Sequence, residues 1–281
     1  MTCVRGSIVG LVLALALVAP WPAHAQVTEL VDPTALRVCA DPNNLPYSNQ
    51  AGEGFENAIA EMLAADLGLP LEYTWYPNTV GFVRNTLGAH LCDVVIGVVQ
   101  GSELMQNTNP YYRSSYVMVS RADEGVKPES LDDPALRDLK IGIIARTPPV
   151  DLLARRGLLG NIETYHLMVD TRYYSPARDL VVDVAEGEVD VGLVWGPIAG
   201  YWAARQKTPL RLVPLAADQG SRIRLDYRIS MGLRHDEPDW KHRLNDFLAS
   251  HEKQIETLLL EYGVPLIGRD GELIRADAAP G

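Results

Sequence analysis

The apolar positions along this chain change period in a regular order. Leu36-Arg37-Val38-Cys39-Ala40 is a short β-like run, ended by the turn cluster Asp41-Pro42-Asn43-Asn44. From Gly54 the period becomes helical, with Phe55, Ile59, Met62, Leu63 and Leu67 on one face until Gly68 and Pro70 stop the pattern. Leu71 to Tyr76 predicts a second strand, and Val80, Val83 and Leu87 mark a short helix. Asp93 to Val98 is nearly all apolar, as expected for a strand covered on both faces of a parallel sheet.

The same order then recurs. Leu139 to Ile144 is a strand. Thr147 and Pro148 read as the N-cap and first residue of a helix running through Val150 to Leu159. Ser175-Pro176 opens another helix through Leu180, Val181 and Val184, closed by Gly187. The run Val189-Asp190-Val191-Gly192-Leu193-Val194 echoes Cys92-Asp93-Val94-Val95-Ile96-Gly97-Val98. This repetition predicts two similar α/β lobes. Tyr116 to Ser120 reads as a β-like crossing from the first half to the second, and Tyr227 to Leu233 as the return. From Pro238 one long helical region, with Trp240, Leu244, Phe247, Ile255, Leu258, Leu259 and Tyr262 at helical spacing, is expected to rejoin the first lobe and end at Gly263. The tail from Gly268 is polar and is expected to fray.

The first residues read as an address label. Arg5 precedes an unbroken apolar or small-residue run from Ile8 to Ala19, followed by Pro20-Trp21-Pro22 and Ala23-His24-Ala25. That is the order of a charged region, an apolar core and an A-x-A cleavage site. Such a core spans roughly 18 Å as helix, too short for a ~30 Å hydrocarbon layer. The expectation is a cleaved secretory signal, a periplasmic protein and no transmembrane segment in the mature chain. Cys39 and Cys92 then remain, and an even pair in an exported chain suggests a disulfide, two buried free thiols being the alternative.

The 281 residues carry Lys+Arg 25 against Asp+Glu 36, a net charge of -11, with 47% hydrophobic residues. That composition suits a folded chain with enough apolar surface for two lobes. Its sign argues against nucleic-acid binding, which needs a basic face. No H-E-x-x-H, paired C-x-x-C, Walker or G-x-S-x-G pattern occurs. His235 and His242, seven apart, read as surface helix histidines. Asp132-Asp133 lacks the spacing of a calcium loop, so no metal and no cofactor is expected. No triad-like set argues for an enzyme.

Taken together, Leu36 to Asp41, Gly54-Phe55, Cys92 to Val98, Asn109-Pro110-Tyr111-Tyr112 and the two crossings resemble the type 2 periplasmic solute-binding-protein fold. The resemblance implies an α/β, two-lobed architecture with two crossing hinge strands. Residues 1–25 would be the signal peptide, 26–118 and 232–281 lobe I, and 119–231 lobe II, with hinges near 116–121 and 227–233. In that fold Cys39 and Cys92 lie on neighbouring strands. A narrower likeness is carried by Arg37 to Asn49, Gly52 to Asn57, Gly81 to Leu87 and Val194 to Tyr201. These runs resemble the MxaJ/XoxJ family, periplasmic companions of PQQ-dependent methanol dehydrogenases. The likeness implies an accessory role toward such a methanol or alcohol dehydrogenase, alone or with its c-type cytochrome. It does not say whether that role is activation, maturation or support.

In this fold a ligand sits between the lobes, near strand ends and helix N-termini. The loop from Asp41 to Ser48, including Tyr47, is placed to line that cleft. Asn43 and Asn44 read either as ligand contacts or as turn formers. Phe55 lines the cleft or joins the core. Arg84, beside Asn85, holds an anion or caps a structural network. Tyr111, Tyr112 and Tyr116 stack on a ligand or pack between lobes. Thr147 stands at a helix N-terminus, and Trp195, at the end of a lobe II strand, is the first candidate for a cleft aromatic. Ordinary amino-acid binders place an acidic-Arg pair where this chain reads Ser102-Glu103-Leu104, and an Asp where it reads Trp195-Gly196-Pro197. Lacking both charges, the cleft would leave a zwitterion unpaired. Two other readings remain: the receptor of an importer for a small non-amino-acid solute, and an enzyme such as a dehydratase on the same fold. If the address label is read correctly, intact mass of exported material will give Gln26 as the N-terminus; an uncleaved, membrane-embedded chain would refute it.

Overall fold

Strand alternation divides the chain's apolar residues between the two faces of a sheet, and that division organises the fold. The computed structural model describes residues 30–123, 125–167, 169–216, 222–268 and 272–274; the expected signal segment, 1–25, lies outside them. The first half runs β1 (Leu36–Ala40), β2 (Asn43–Asn44), β3 (Ser48–Asn49), α1 (Phe55–Leu67), β4 (Leu71–Trp75), α2 (Phe82–Asn85), β5 (Val95–Val99) and β6 (Gln106–Asn107). The long strand β7 (Tyr112–Arg121) leaves it. The second half runs β8 (Ile141–Ile144), α3 (Pro148–Arg155), β9 (Ile162–Tyr165), α4 (Pro176–Glu186), β10 (Val191–Trp195), α5 (Gly196–Ala203) and β11 (Leu210–Pro214). Strand β12 (Asp226–Leu233) returns, and α6 (Pro238–Ser250) and α7 (Glu252–Glu261) close the order.

Both halves use one strand plan. β1 pairs in parallel with β4, and Val38 bridges in parallel to Val94 beside β5. In the second half β8 pairs in parallel with β9 and with β10. The two crossing strands pair antiparallel only from Tyr112 to Ser115 against Asp226 to Ile229. Past Ser115, β7 pairs with β10 and β11; past Ile229, β12 pairs with β5 and β6. Each crossing strand therefore changes partners where it passes from one lobe to the other.

Period-two alternation is visible in the cores. Leu36, Val38 and Ala40 pack with Phe55, Ile59 and Leu63 of α1 and with Leu244, Phe247, Ile255 and Leu259 of the last two helices. Cys39 points to the opposite face, with Phe82, Leu87, Cys92 and Val95. In the second lobe Ile141, Ile143, Val191 and Leu193 face Leu152 and Leu153 of α3, while Val194 and Val189 face Leu180, Val181 and Val184 of α4. Burying each such aliphatic side chain contributes roughly 1.5–3 kcal/mol before chain entropy is subtracted. Cys39 and Cys92 are joined as a disulfide, with Cα atoms 5.4 Å apart, closing a sequence separation of 53.

The repeated Asp-Val motif has a structural basis. The Asp93 N–H donates to Arg37 O at the start of β1, and the Asp190 N–H donates to Lys140 O just before β8. Asp93 is fully buried. Its carboxylate accepts from Arg37 Nε at 2.7 Å and Nη2 at 2.8 Å, and from Arg234 Nη2 at 2.6 Å. Its backbone carbonyl accepts from the Trp240 indole at 3.0 Å. Arg234 also grips Glu237 and the Cys92 carbonyl.

Three expectations need correction. The long C-terminal helical region is two helices broken at His251, where the Ser250 hydroxyl bonds the carbonyls of Asp246 and Phe247 and the backbone turns to φ -111. Such local side-chain bonding competes with helix continuation. Thr147 is the N-cap and Pro148 the first residue of α3, as expected, but the helix stops at Arg155, short of Leu159, and the Thr147 hydroxyl donates backward to Ile144 O. Of the tail, only residues 268 and 272–274 are described, and these are held: the Gly268 N–H donates to Glu272 O, the Ile274 N–H donates to Leu266 O, and Ile274 packs on the first core. Replacing Asp93 by Ala should cost about 3–5 kcal/mol, because it strands buried guanidinium groups. Denaturant unfolding checks this, and a loss under 1 kcal/mol would show that the network carries little.

Candidate functional site

Where the crossing strands change partners, the sheet leaves a cavity of about 460 Å³ between the lobes. That size suits a small molecule. The first lobe contributes the loop after β1 with Asp41, Asn44 and Tyr47, the start of α1 with Glu56, and Gly97 and Val98 of β5. The crossings contribute Tyr112, Tyr116 and Tyr227; the second lobe adds Trp195 and Leu167.

Local chemistry fixes the loop. The Asn57 carboxamide oxygen accepts from the N–H groups of Asn49 and Gly54, and the Ser48 hydroxyl donates to Asp41 O. The N–H groups of Phe55 and Glu56 donate to the carbonyls of Pro46 and Tyr47. Gly54 is required there, since a Cβ on it would lie 2.0 Å from Tyr47 O. The helix start is thereby seated on the loop, and Glu56 is aimed into the cavity. Its carboxylate passes over Gly97, where a Cβ would stand 2.0 Å from Glu56 Oε1. Burial, and secondarily the negative charge of Asp41, push the Glu56 carboxyl up to about 8. The residue is half-buried, and among the described residues no hydrogen bond or ion pair reaches that carboxylate.

Asp41 is treated differently by its surroundings. It accepts from the Asn43 N–H at 2.9 Å, the Asn78 N–H at 2.6 Å and the Thr171 hydroxyl at 2.7 Å. Thr171 belongs to the second half of the chain, so this contact spans the mouth of the cleft. The Asn43 carboxamide adds a bond to Thr171 O at 3.0 Å.

The inner wall is aromatic. Tyr116 and Trp195 have ring centroids 5.4 Å apart, Trp195 and Tyr227 5.7 Å, and Tyr116 and Tyr227 6.5 Å, all edge-to-face. Tyr47 meets Phe55 edge-on at 5.4 Å. Burial raises the phenols of Tyr47 and Tyr112 well above their usual range, with nearby charge adding to the effect. They remain neutral, and in each case an apolar ring body carries a polar tip.

The structure brings together Asp41, Asn44, Tyr47, Tyr112 and Trp195 on this cavity. It places the other sequence candidates elsewhere. Asn43 turns to the interlobe contact with Thr171. Phe55 is fully buried in the core, where its side chain holds α1 against Tyr112 and Tyr262. Tyr111 is absent from the lining but close to Glu56: its hydroxyl donates to Ile96 O, and its other side borders a separate cavity with Glu252 and Glu256. Arg84 is exposed and absent from the lining. Thr147 borders a third cavity with Arg146 and Asp151. Leu104 is exposed at 73%, and among the described residues no Arg, Lys or His lines the main cavity. Glu56, Gly97, Thr171 and Tyr227 were not singled out from sequence. Glu56 sits in the Gly52–Asn57 run, but an acid in a first helical turn reads as an ordinary helix-dipole partner. Among the described residues no group of three or more His, Cys, Asp or Glu is arranged to hold a metal ion, and no helix is long and apolar enough to cross a membrane.

Comparison with known proteins agrees with this architecture. Residues 95–257 match the family described as bacterial extracellular solute-binding protein. Protein MoxJ of Paracoccus denitrificans is 30% identical over 269 residues, covering 90% of this chain and 94% of the relative. The crystal structure of periplasmic binding protein XoxJ from Methylobacterium extorquens AM1 superposes with a TM-score of 0.71 at 42% identity, covering 84% of this chain and 100% of XoxJ. MxaJ from Methlophaga aminisulfidivorans MPT superposes at 0.72 with 27% identity, over 83% of this chain and all of MxaJ. The lining explains one expected negative result. Standard amino acids at micromolar concentration should leave the melting temperature unchanged. A ligand at 100 times its dissociation constant would add about 2.7 kcal/mol of stability, so a clear upward shift would overturn this reading.

Proposed function

Because the chain belongs to the bacterial extracellular solute-binding protein family, in the group of MoxJ, MxaJ and XoxJ, we propose that it is a periplasmic accessory protein of a methanol-oxidation system. Its role is to support a PQQ-dependent methanol or alcohol dehydrogenase by direct contact. It binds rather than catalyses. The observation that carries this reading is the likeness to XoxJ, which covers that structure from end to end at 42% identity. The cleft supports it from the other side: among the described residues the lining has no cationic side chain with which an importer receptor would grip an amino acid.

The net charge of -11 favours a partner with a basic face. Association of that kind weakens as salt rises. The importer-receptor alternative keeps the same cavity and differs in what the closed form docks on. Deleting the gene in its native host separates the two. The accessory reading expects reduced alcohol oxidation and reduced active dehydrogenase, both restored by the gene in trans. Unchanged dehydrogenase activity and cofactor loading, together with lost uptake of a small solute, would transfer the protein to the importer class.

A further inference from the structure

We propose that the interlobe cavity is a binding site for a small organic ammonium ion that carries no carboxylate, held by the Glu56 carboxylate and the Tyr116–Trp195–Tyr227 ring cluster. This does not rest on the accessory role, and it assigns the cleft a ligand class of its own.

Charge balance is the first argument. Among the described residues two carboxyl groups, Asp41 and Glu56, line the cavity, and no Arg, Lys or His does. Asp41 is already satisfied by two backbone N–H groups and the Thr171 hydroxyl. Glu56 has no such partner among the described residues. A half-buried carboxylate drawn toward an aromatic cavity without a counter-ion is costly, and a proton or a cation relieves it. An anionic or zwitterionic ligand would bring a second negative group with nothing to receive it.

Shape is the second argument. Gly97 leaves open the space that the Glu56 carboxylate occupies; any side chain there would meet Oε1. The carboxylate therefore faces the cavity by construction of two strands and a helix start, not by a flexible excursion. The same cavity is lined by rings from β7, β10 and β12 that pack edge-to-face on one another. An ammonium group over the face of a Trp or Tyr within about 6 Å is attracted by the ring quadrupole, by about 2 kcal/mol or more once desolvated. Alkyl groups on the nitrogen fill the apolar remainder of a cavity of about 460 Å³.

Proton linkage follows from the same geometry. The titratable groups around Glu56 are Asp41 and the phenols of Tyr47, Tyr73, Tyr111 and Tyr112. The carboxyl titrates at about 8, so it is protonated at neutral pH with the cleft empty. A bound cation displaces that proton. Affinity for the cation should therefore rise up to about tenfold per pH unit from pH 6 toward 8, then level off.

Calorimetry on the purified mature protein tests this with choline, its uncharged isostere 3,3-dimethyl-1-butanol, and glycine betaine, which adds a carboxylate. Choline should bind saturably, at least tenfold more tightly than either of the others. Binding at pH 7 should release protons, read as a heat that changes between buffers of different ionisation enthalpy. Glu56→Gln should abolish both the proton release and the pH dependence, and Trp195→Leu should weaken choline while leaving the proton release in place. Equal binding of choline and the uncharged isostere, or no binding of choline, methylammonium or tetramethylammonium, would overturn the proposal. Capture of a lysine-bearing peptide without any free ammonium ion would also overturn it, by making the cleft a protein-docking site. The measurements on the unaltered protein decide the matter even if a variant fails to fold.

Discussion

A single buried carboxylate, Asp93, holds the first lobe in register. It lies at the start of β5 yet receives one guanidinium from β1 and another from the segment after β12, while its carbonyl takes the indole of α6. Three stretches distant in sequence, around Arg37, Asp93 and Arg234 to Trp240, thus meet at one residue. An unpaired buried charge costs several kcal/mol, so these partners arrive together or not at all. The Cys39–Cys92 disulfide fastens the same two stretches, two residues beyond Arg37 and one before Asp93. Paired guanidinium and carboxylate bond more rigidly than an apolar contact slides, and this rigidity determines where β5, and with it Gly97, stands beneath α1.

The cleft depends on that placement. β5 sets Gly97 under the Glu56 side chain, and the Asn57-centred loop sets Glu56 above it. The opposite wall is fixed separately, by strands that exchange partners between lobes and carry Tyr116 and Tyr227 with them. Thr171 reaches across to Asp41 and joins the two walls at the mouth. The result is an aromatic cavity with one carboxylate left over. Its chemistry favours positive charge, whereas a typical amino-acid cleft needs groups of both signs.

The repeat of strand, helix and Asp-Val strand was legible in the sequence because each side chain's burial follows period two or 3.6 locally. Asp93 and Asp190 do play matching backbone roles at their strand starts. The site was legible in part. Asp41, Tyr47 and Trp195 lie at strand ends, and strand ends border the crevice in any open α/β sheet. Phe55 and Tyr111 were harder to place, because an aromatic residue beside a cleft loop serves the core equally well until the packing is seen. Arg84 followed a plausible pattern, but its side chain turns to solvent.

The chain by itself determined its two-lobed α/β class and its likeness to the MoxJ, MxaJ and XoxJ group, since these reside in local periodicity and short residue runs; it suggested a Cys39–Cys92 bridge but left two buried free thiols open until the structure joined them. Only the tertiary structure decided that Glu56 faces the cavity unpartnered, that Thr171 meets Asp41 across 130 positions, and that Tyr116, Trp195 and Tyr227 form one wall. Those contacts join residues far apart in sequence. Whether a carboxylate finds a partner depends on everything that surrounds it in space, and its neighbours along the chain carry no record of that.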